Sequence, residues 1–359
     1  MPLLLACALL GVNGTVSRAV VRNRCAIEQV RGRAASCDTS EWLEFRLALL
    51  TGQLEHAREI APTVMSRPSR AGEALLFREA NRLSDVGRAS DARRALDALL
   101  DRNSRDPLLC DSAGQAYDKA GSIAQAEEWY RHGIAAEGSA RLAAGRYYLS
   151  VLYFREGRWP LVIDTLKVIG RGETTVPVRN TIGGDLGRLV DWPAAFLLLG
   201  QAYENTRRPD EAKSVYRRLL EIEGISGDWQ VNRALVALAV LEGREGDLPE
   251  SMPHFARAID LTFRYRDAVR VQYQTDTWRQ LLSILEMTSG ERLLPIASRT
   301  VEAMPRSAGA ALVQAASGVI TCRDDVARDA SRRAAAIAPE SGSFLEQLRT
   351  ARALAKCQA

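Results

Sequence analysis

Three histidines, His56, His132 and His254, are the side chains best suited to hold a metal or move a proton at neutral pH. They fall at comparable places in three different copies of a repeating pattern, too far apart to share one ion, and are read as solvated helix surface. The adjacent acids Glu127-Glu128 and Asp324-Asp325 point to different sides of any helix that carries them. Glycoside hydrolysis needs two carboxyls facing each other across a substrate, which neither pair supplies. No Gly-x-Ser-x-Gly elbow, His-Glu-x-x-His pair or Gly-Lys-Ser/Thr phosphate loop occurs. The six cysteines, Cys7, Cys25, Cys37, Cys110, Cys322 and Cys357, contain no Cys-x-x-Cys pair, which argues against zinc. Cys25 with Cys37, and Cys322 with Cys357, would each bridge in a chain living outside the cytosol, and are otherwise single thiols. Cys110, beside Leu108 and Leu109, is expected in the core. The expectation is a chain without catalysis, metal or cofactor, an enzyme surviving only as a distant alternative built on residues 170–192.

Charge excludes little more. The formal net charge of +4 over 359 residues is small, and lysine occurs only at Lys119, Lys167, Lys213 and Lys356. Basic residues are interleaved with acids, so no nucleic-acid partner is expected, and Arg207-Arg208 is read as a solvated turn. No small-molecule substrate is expected either.

What must position these residues is visible between Ala194 and Glu223. Gly200 is followed by Tyr203, then Ala212, then Tyr216. Small residues at 200 and 212 let two helix backbones approach, while Phe196, Tyr203 and Tyr216 fill the space around the contact. Pro209 falls where a second helix begins, with Asp210 and Glu211 in its first turn. Gly114, Tyr117, Ala126 and Tyr130 repeat the set. Ser150, Tyr153, Val162 and Leu166 repeat it with larger residues, and weaker copies are anchored at Phe45, Ala80 and Ala239. Seven residues past the anchor, where the first helix should close on a left-handed residue, stand Gly52, Gly87, Gly121, Gly157 and Gly246, with Arg207 as the exception. The anchors are separated by 35, 34, 36, 50 and 39 residues, a unit of about 34 with insertions.

This pattern resembles the tetratricopeptide repeat (TPR), two antiparallel helices joined by a tight turn. The resemblance implies an all-α, right-handed superhelical solenoid of about eight helix pairs, acting as a scaffold that receives a peptide or helix of a partner protein in a concave groove lined by the first helices. Carried over by offset, the groove residues are Asp111, Gln115, Asp118 and Lys119 in one unit, Tyr147, Val151, Phe154 and Arg155 in another, and Leu197, Gln201, Glu204 and Asn205 in a third. Some relatives clamp a C-terminal carboxylate with lysine and asparagine at such sites; Asp111 and Leu197 stand at the lysine position here, and Gln115 and Gln201 at the asparagine position. No such clamp is expected, and helix-in-groove docking on a mixed apolar and polar surface is the expected mode. The alternative to a groove role is that Tyr147 and Phe154 pack between repeats.

In order, residues 1–38 form an apolar and arginine-rich segment. Met1 to Val12 is too short to span a bilayer, and is read either as the tail of a longer membrane segment upstream of a misplaced start or as an amphipathic capping helix. On the first reading the chain is the soluble assembly or sensory part of a membrane-anchored envelope protein, so the compartment stays open between cytoplasmic and extracytoplasmic. Asn13-Gly14-Thr15 fits a glycosylation sequon, and a helix is expected over 16–30. Helix pairs then fill 39–170, a glycine- and threonine-rich insertion occupies 171–192, and further pairs fill 193–305. Pro253, four residues after Pro249, is expected to strain or kink its helix unless it falls within the first turn. The stretch 275–305 reads as two helices around Gly290 without matching slot residues. Degenerate alanine-rich helices and a polar cap from Ser343 complete 306–359.

Overall fold

In the computed structural model, the residues described are 40–65, 71–100, 106–136, 144–170, 178–179, 185–187, 193–221, 229–265 and 267–354. Residues 1–38, with the expected helix over 16–30, the sequon and the cysteines at 7, 25 and 37, lie outside them. The chain divides into two compact units, Met1–Glu156 with Gly172–Val190, and Gly157–Arg171 with Asp191–Ala359. Both are helical, as the spacing of small residues predicts.

The first unit holds α1 (Ser40–Thr51), α2 (Leu54–Met65), α3 (Ala71–Asp85), α4 (Ala89–Leu99), α5 (Pro107–Lys119), α6 (Ile123–Ala136) and α7 (Ala144–Arg155). Consecutive helices pack as hairpins, α1 on α2, α3 on α4 and α5 on α6, and each first helix also touches the next, α3 on α1, α5 on α3 and α7 on α5. The insertion contributes a short antiparallel pairing of β1 (Val178–Arg179) with β2 (Asp185–Gly187), Val178 opposite Gly187. The second unit holds α8 (Trp159–Gly170), α9 (Pro193–Asn205), α10 (Pro209–Leu220), α11 (Trp229–Arg244), α12 (Leu248–Thr262), α13 (Asp267–Glu286), α14 (Gly290–Ala303), α15 (Ala308–Ile320), α16 (Asp324–Ile337), a 3₁₀ turn at Pro339–Ser341 and α17 (Gly342–Leu354).

Helix starts follow the local chemistry. Pro107 opens α5 behind Asp106, whose carboxylate accepts the Leu108 amide at 3.1 Å. Pro209 opens α10, and Ser307 caps α15 by accepting the Ala310 amide at 2.8 Å. Helix α12 runs through Pro253, and the carbonyl that a proline there leaves without its amide partner belongs to Pro249, an exposed residue.

The turns are more uniform than their residues. Gly52, Gly87, Gly121, Gly157 and Gly246 have φ between +69° and +84°, and Arg207 adopts the same left-handed conformation at +58°. Arg208 N donates to Tyr203 O at 2.9 Å, as Ser122 N donates to Tyr117 O at 2.9 Å after Gly121, so one helix-closing motif serves both. Cys322 is left-handed too, at +57°, with Arg323 N bonded to Gly318 O at 2.8 Å. Counting back from it gives Ala315, Gly318, Ala327 and Ser331 at the slot spacing, so 308–341 is a further full hairpin, α15 on α16, inside the stretch expected to be degenerate.

Within the second unit the pairing pattern changes at α13 and α14. Helices α13 and α14 pack on α12 and α15 rather than chiefly on each other, and α12 meets α15 directly. A Cβ on Gly309 would lie 2.1 Å from Ala256 O, so glycine is required at that crossing.

Candidate partner-binding face

Glycine and tyrosine meet at the two most regular crossings. A Cβ on Gly114 would lie 2.4 Å from Tyr130 Cε1, and one on Gly200 would lie 2.3 Å from Tyr216 Cε1. Both rings are fully buried, with Tyr117, Tyr153, Phe45, Phe196 and Phe255 among the other large buried side chains. Ala126 and Ala212 are completely buried beside them. Buried hydroxyls find acids: Tyr117 donates to Asp97 at 2.8 Å, Tyr153 to Glu127 at 3.0 Å, and Tyr216 to Glu204. Tyr203 is only partly buried, and the Arg208 guanidinium stacks over its ring at 4.7 Å. Burial raises the hydroxyl pKa of Tyr130 and of Tyr216, both well above the usual phenol range.

The hairpins of the first unit fix α3, α5 and α7 side by side, and charged residues near their C-termini join them. Lys119 reaches Asp85 at 2.8 Å, and Arg155 pairs with Asp118. Each pair links one first helix to the next. Among the residues expected in the groove, Gln115, Asp118, Tyr147, Val151 and Phe154 are half-buried and Lys119 and Arg155 exposed, whereas Asp111 is only 4% exposed. Behind Tyr147, an aromatic group forms: Tyr147 meets Tyr148 edge-on at 5.5 Å, and Tyr148 stacks on Tyr130 at 6.1 Å. Burial raises the pKa of Tyr147 and Tyr148 as well, so this surface carries phenols and no phenolate.

In the second unit α9 presents Gln201 and Glu204 half-buried and Asn205 exposed, with Leu197 buried. Asn205 donates to Gln201 O at 2.8 Å, which ties its amide to its own helix. Burial raises the Glu204 pKa, opposed by the Tyr216 hydrogen bond and the charge of Arg244 on α11. Arg244 stands one hairpin on from Glu204 at the offset Arg155 has from Asp118, and acts on Glu204 through its charge.

The chemistry-bearing residues take structural posts. His254 is not surface: its side chain is 16% exposed and its Nδ1 lies 2.8 Å from Glu242, which Arg217 also binds at 3.0 Å. Glu242 occupies the slot that tyrosine fills in better-matched units, and a 2%-exposed carboxylate there needs both partners. His56 lies 3.0 Å from Glu44, and His132 stacks on Trp129 at 6.0 Å. Cys110 is buried, its thiol pushed up to about 11 by burial and by the neighbouring Asp111 charge. Cys322 is disulfide-bonded; its expected partner, Cys357, lies outside the described residues. The cross-helix pairs and the Glu242 cluster were not foreseen, because their members come from different hairpins or from opposite ends of one.

Comparison with known proteins adds a match over one hairpin. Residues 193–224 match the tetratricopeptide repeat model. No curated protein matches. Among solved structures, the C-terminal part of a TPR repeat-containing protein from Cytophaga hutchinsonii is similar at 13% identity and a TM-score of 0.46, covering 85% of this chain and 98% of that one. MamA from MSR-1 matches at 20% identity and a TM-score of 0.38, covering 54% of this chain and 97% of its own, and MamA from AMB-1 at 18% and 0.39, covering 55% and 96%. The matched segment is the stretch where Gly200 seats beneath Tyr216, and helix hairpins of the same kind stand before and after it: residues 193–224 form a tetratricopeptide repeat.

Proposed function

We propose that the chain is a non-catalytic protein-interaction scaffold that holds a segment of a partner protein against the first helices of its hairpins. The observation that carries this reading is the α5–α7 face. Its charges are already matched, Lys119 by Asp85 and Arg155 by Asp118, while Tyr147, Val151 and Phe154 remain half-buried beside them. A surface of this kind favours an apolar or aromatic segment lying along the helices over a lone carboxylate, which would have to displace an internal acid to reach a cation. Asp111 lies beneath this face, and in the second unit, taken by itself, α9 offers Gln201, Glu204 and Asn205 as the corresponding polar contacts with Leu197 beneath them. Among the described residues no helix is long and apolar enough to cross a membrane; residues 1–12, on which an anchored form depends, lie outside them.

The test is a pull-down from native extract with the full chain and with its Tyr147→Ala/Phe154→Ala variant, folding of both being checked by circular dichroism. Proteins retained by the wild type and lost by the folded variant identify the partner. An unchanged set of retained proteins overturns the role of this face.

A further inference from the structure

Two buried polar atoms lie where the terminal helix docks, and neither has a hydrogen-bond partner among the described residues. They are Trp278 Nε1 on α13 and Ser341 Oγ in the turn that leads into α17. Both residues are no more than 3% exposed. An indole N–H or a hydroxyl shut off from water and from any partner weakens the contact that covers it. Other crossings of this unit are bonded. Asn232 on α11 donates to Ala258 O at 2.7 Å, and Asp260 on α12 accepts the Gly309 amide of α15 at 2.7 Å.

Helix α17 is held by apolar contact instead. It packs on α15 and touches α13. Phe344 and Leu348, one turn apart, are buried, while Gly342, Glu346, Arg349 and Thr350 are exposed. The Phe344 ring stands edge-on to Trp278 at 5.5 Å and to Phe263 at 5.9 Å. The side-chain bonds described for the helix, Arg349 to Glu346 and Thr350 to Glu346 O, both at 3.2 Å, stay inside it. The 3₁₀ turn at Pro339–Ser341 separates α17 from α16, so α17 can leave without unwinding its neighbour.

Two apolar anchors at i and i+4 against an aromatic floor are how a ligand helix sits in a receptor groove. We propose that α17 is the built-in occupant of a helix-binding site floored by Phe263 and Trp278. The site takes an amphipathic helix of a partner protein, with an aromatic residue, an apolar residue one turn on and an acceptor for the Trp278 indole. A helix that satisfies this N–H makes a contact that α17 lacks, and that difference drives the exchange. While α17 is docked the site is closed, so the apparent affinity falls with the fraction of molecules that are open. The site lies within the second unit and does not depend on the α5–α7 face.

Two measurements on the full chain test this. Hydrogen exchange of the wild type should show α17 opening alone, its amides exchanging about 100-fold faster than those of α15; the two helices opening together overturns the proposal. In the second, a labelled peptide copying residues 342–354 is the probe, with its Phe344→Ala/Leu348→Ala form as control. The peptide should bind the Phe344→Ala chain about tenfold more tightly than the wild type, because that chain has released its own helix. Equal binding to both chains, or equal binding of the control, overturns the site. Should Phe344→Ala fail to fold, the same comparison is made with Leu348→Ala. A scan of single glutamates along the peptide should find a position that tightens binding, with the gain lost against a Trp278→Phe chain; no such position overturns the acceptor. A wild-type chain that sediments as a dimer through exchanged α17 helices gives the site to a second copy and overturns the partner.

Discussion

Two hairpins of this chain close in opposite ways. In α9 and α10 a glycine lies beneath an aromatic ring, Gly200 under Tyr216, and the ring fills the gap left by the missing Cβ. In α15 and α16 no ring meets the glycine: a Cβ on Gly318 would lie 2.8 Å from Ala327 N, and Ala315, Ala316, Ala327, Ala330 and Ala334 are the buried residues of the pair. One hairpin geometry is thus reached by large residues over a small one, or by small residues on both sides. The difference is in what can yield. A ring can rotate or shift by a few tenths of an ångström, whereas a helix backbone moves only as a whole.

The largest expected effect lies where backbone meets backbone. Gly309→Ala places a Cβ 2.1 Å from Ala256 O, across the α12–α15 contact that bypasses α13 and α14. It is expected to cost about 3 kcal/mol, read as lost hydrogen-exchange protection in α12 and α15; unchanged protection would show that the helices separate without penalty. Arg207→Gly works in the other direction. The arginine stands at φ +58° where sister turns have glycine, and relieving it should stabilise α9 and α10 by about 1 kcal/mol. A denaturation midpoint below wild type would mean that the arginine side chain holds the turn.

The comparison extends to acids. Asp91 in the first unit is held below the ordinary carboxylate range, chiefly by its bond to Arg94, so its contribution is present above that range and is lost as pH falls through the lowered pKa. Glu204 in the second unit is raised by burial, so the folded state keeps its proton longer than the unfolded chain. Its contribution is present below the ordinary glutamate pKa and is lost as pH rises through the raised value. Glu204→Gln should therefore gain on wild type as pH climbs out of the acid range, and Asp91→Asn should lose. Parallel pH–stability curves for wild type and Glu204→Gln would show that this carboxyl does not titrate differently on folding.

Where one helix pair carries a residue of distinctive type, the sequence was enough to place it. Gly114, Tyr130, Gly200 and Tyr216 stand out against their neighbours, and Pro107 and Pro209 mark helix starts. The hairpin at 308–341 escaped because alanine fills its slots and alanine is also the commonest filler of any helix, so register and background look alike. Only the left-handed φ of Cys322 discloses it. His254 was misplaced because what buries it, Glu242, sits on the facing helix in a slot that elsewhere holds tyrosine. The residues proposed for the face are assigned by offset alone. That Lys119 and Arg155 are engaged by Asp85 and Asp118 depends on how consecutive hairpins stack, which no single repeat encodes.

A double-mutant cycle at one crossing tests the central claim, that a small residue under a ring holds each regular hairpin closed. Gly200→Ala is measured by chemical denaturation in the wild type and again in Tyr216→Ala. The substitution is expected to cost about 2 kcal/mol under the ring and little once the ring is gone. Equal costs in both backgrounds would contradict the claim.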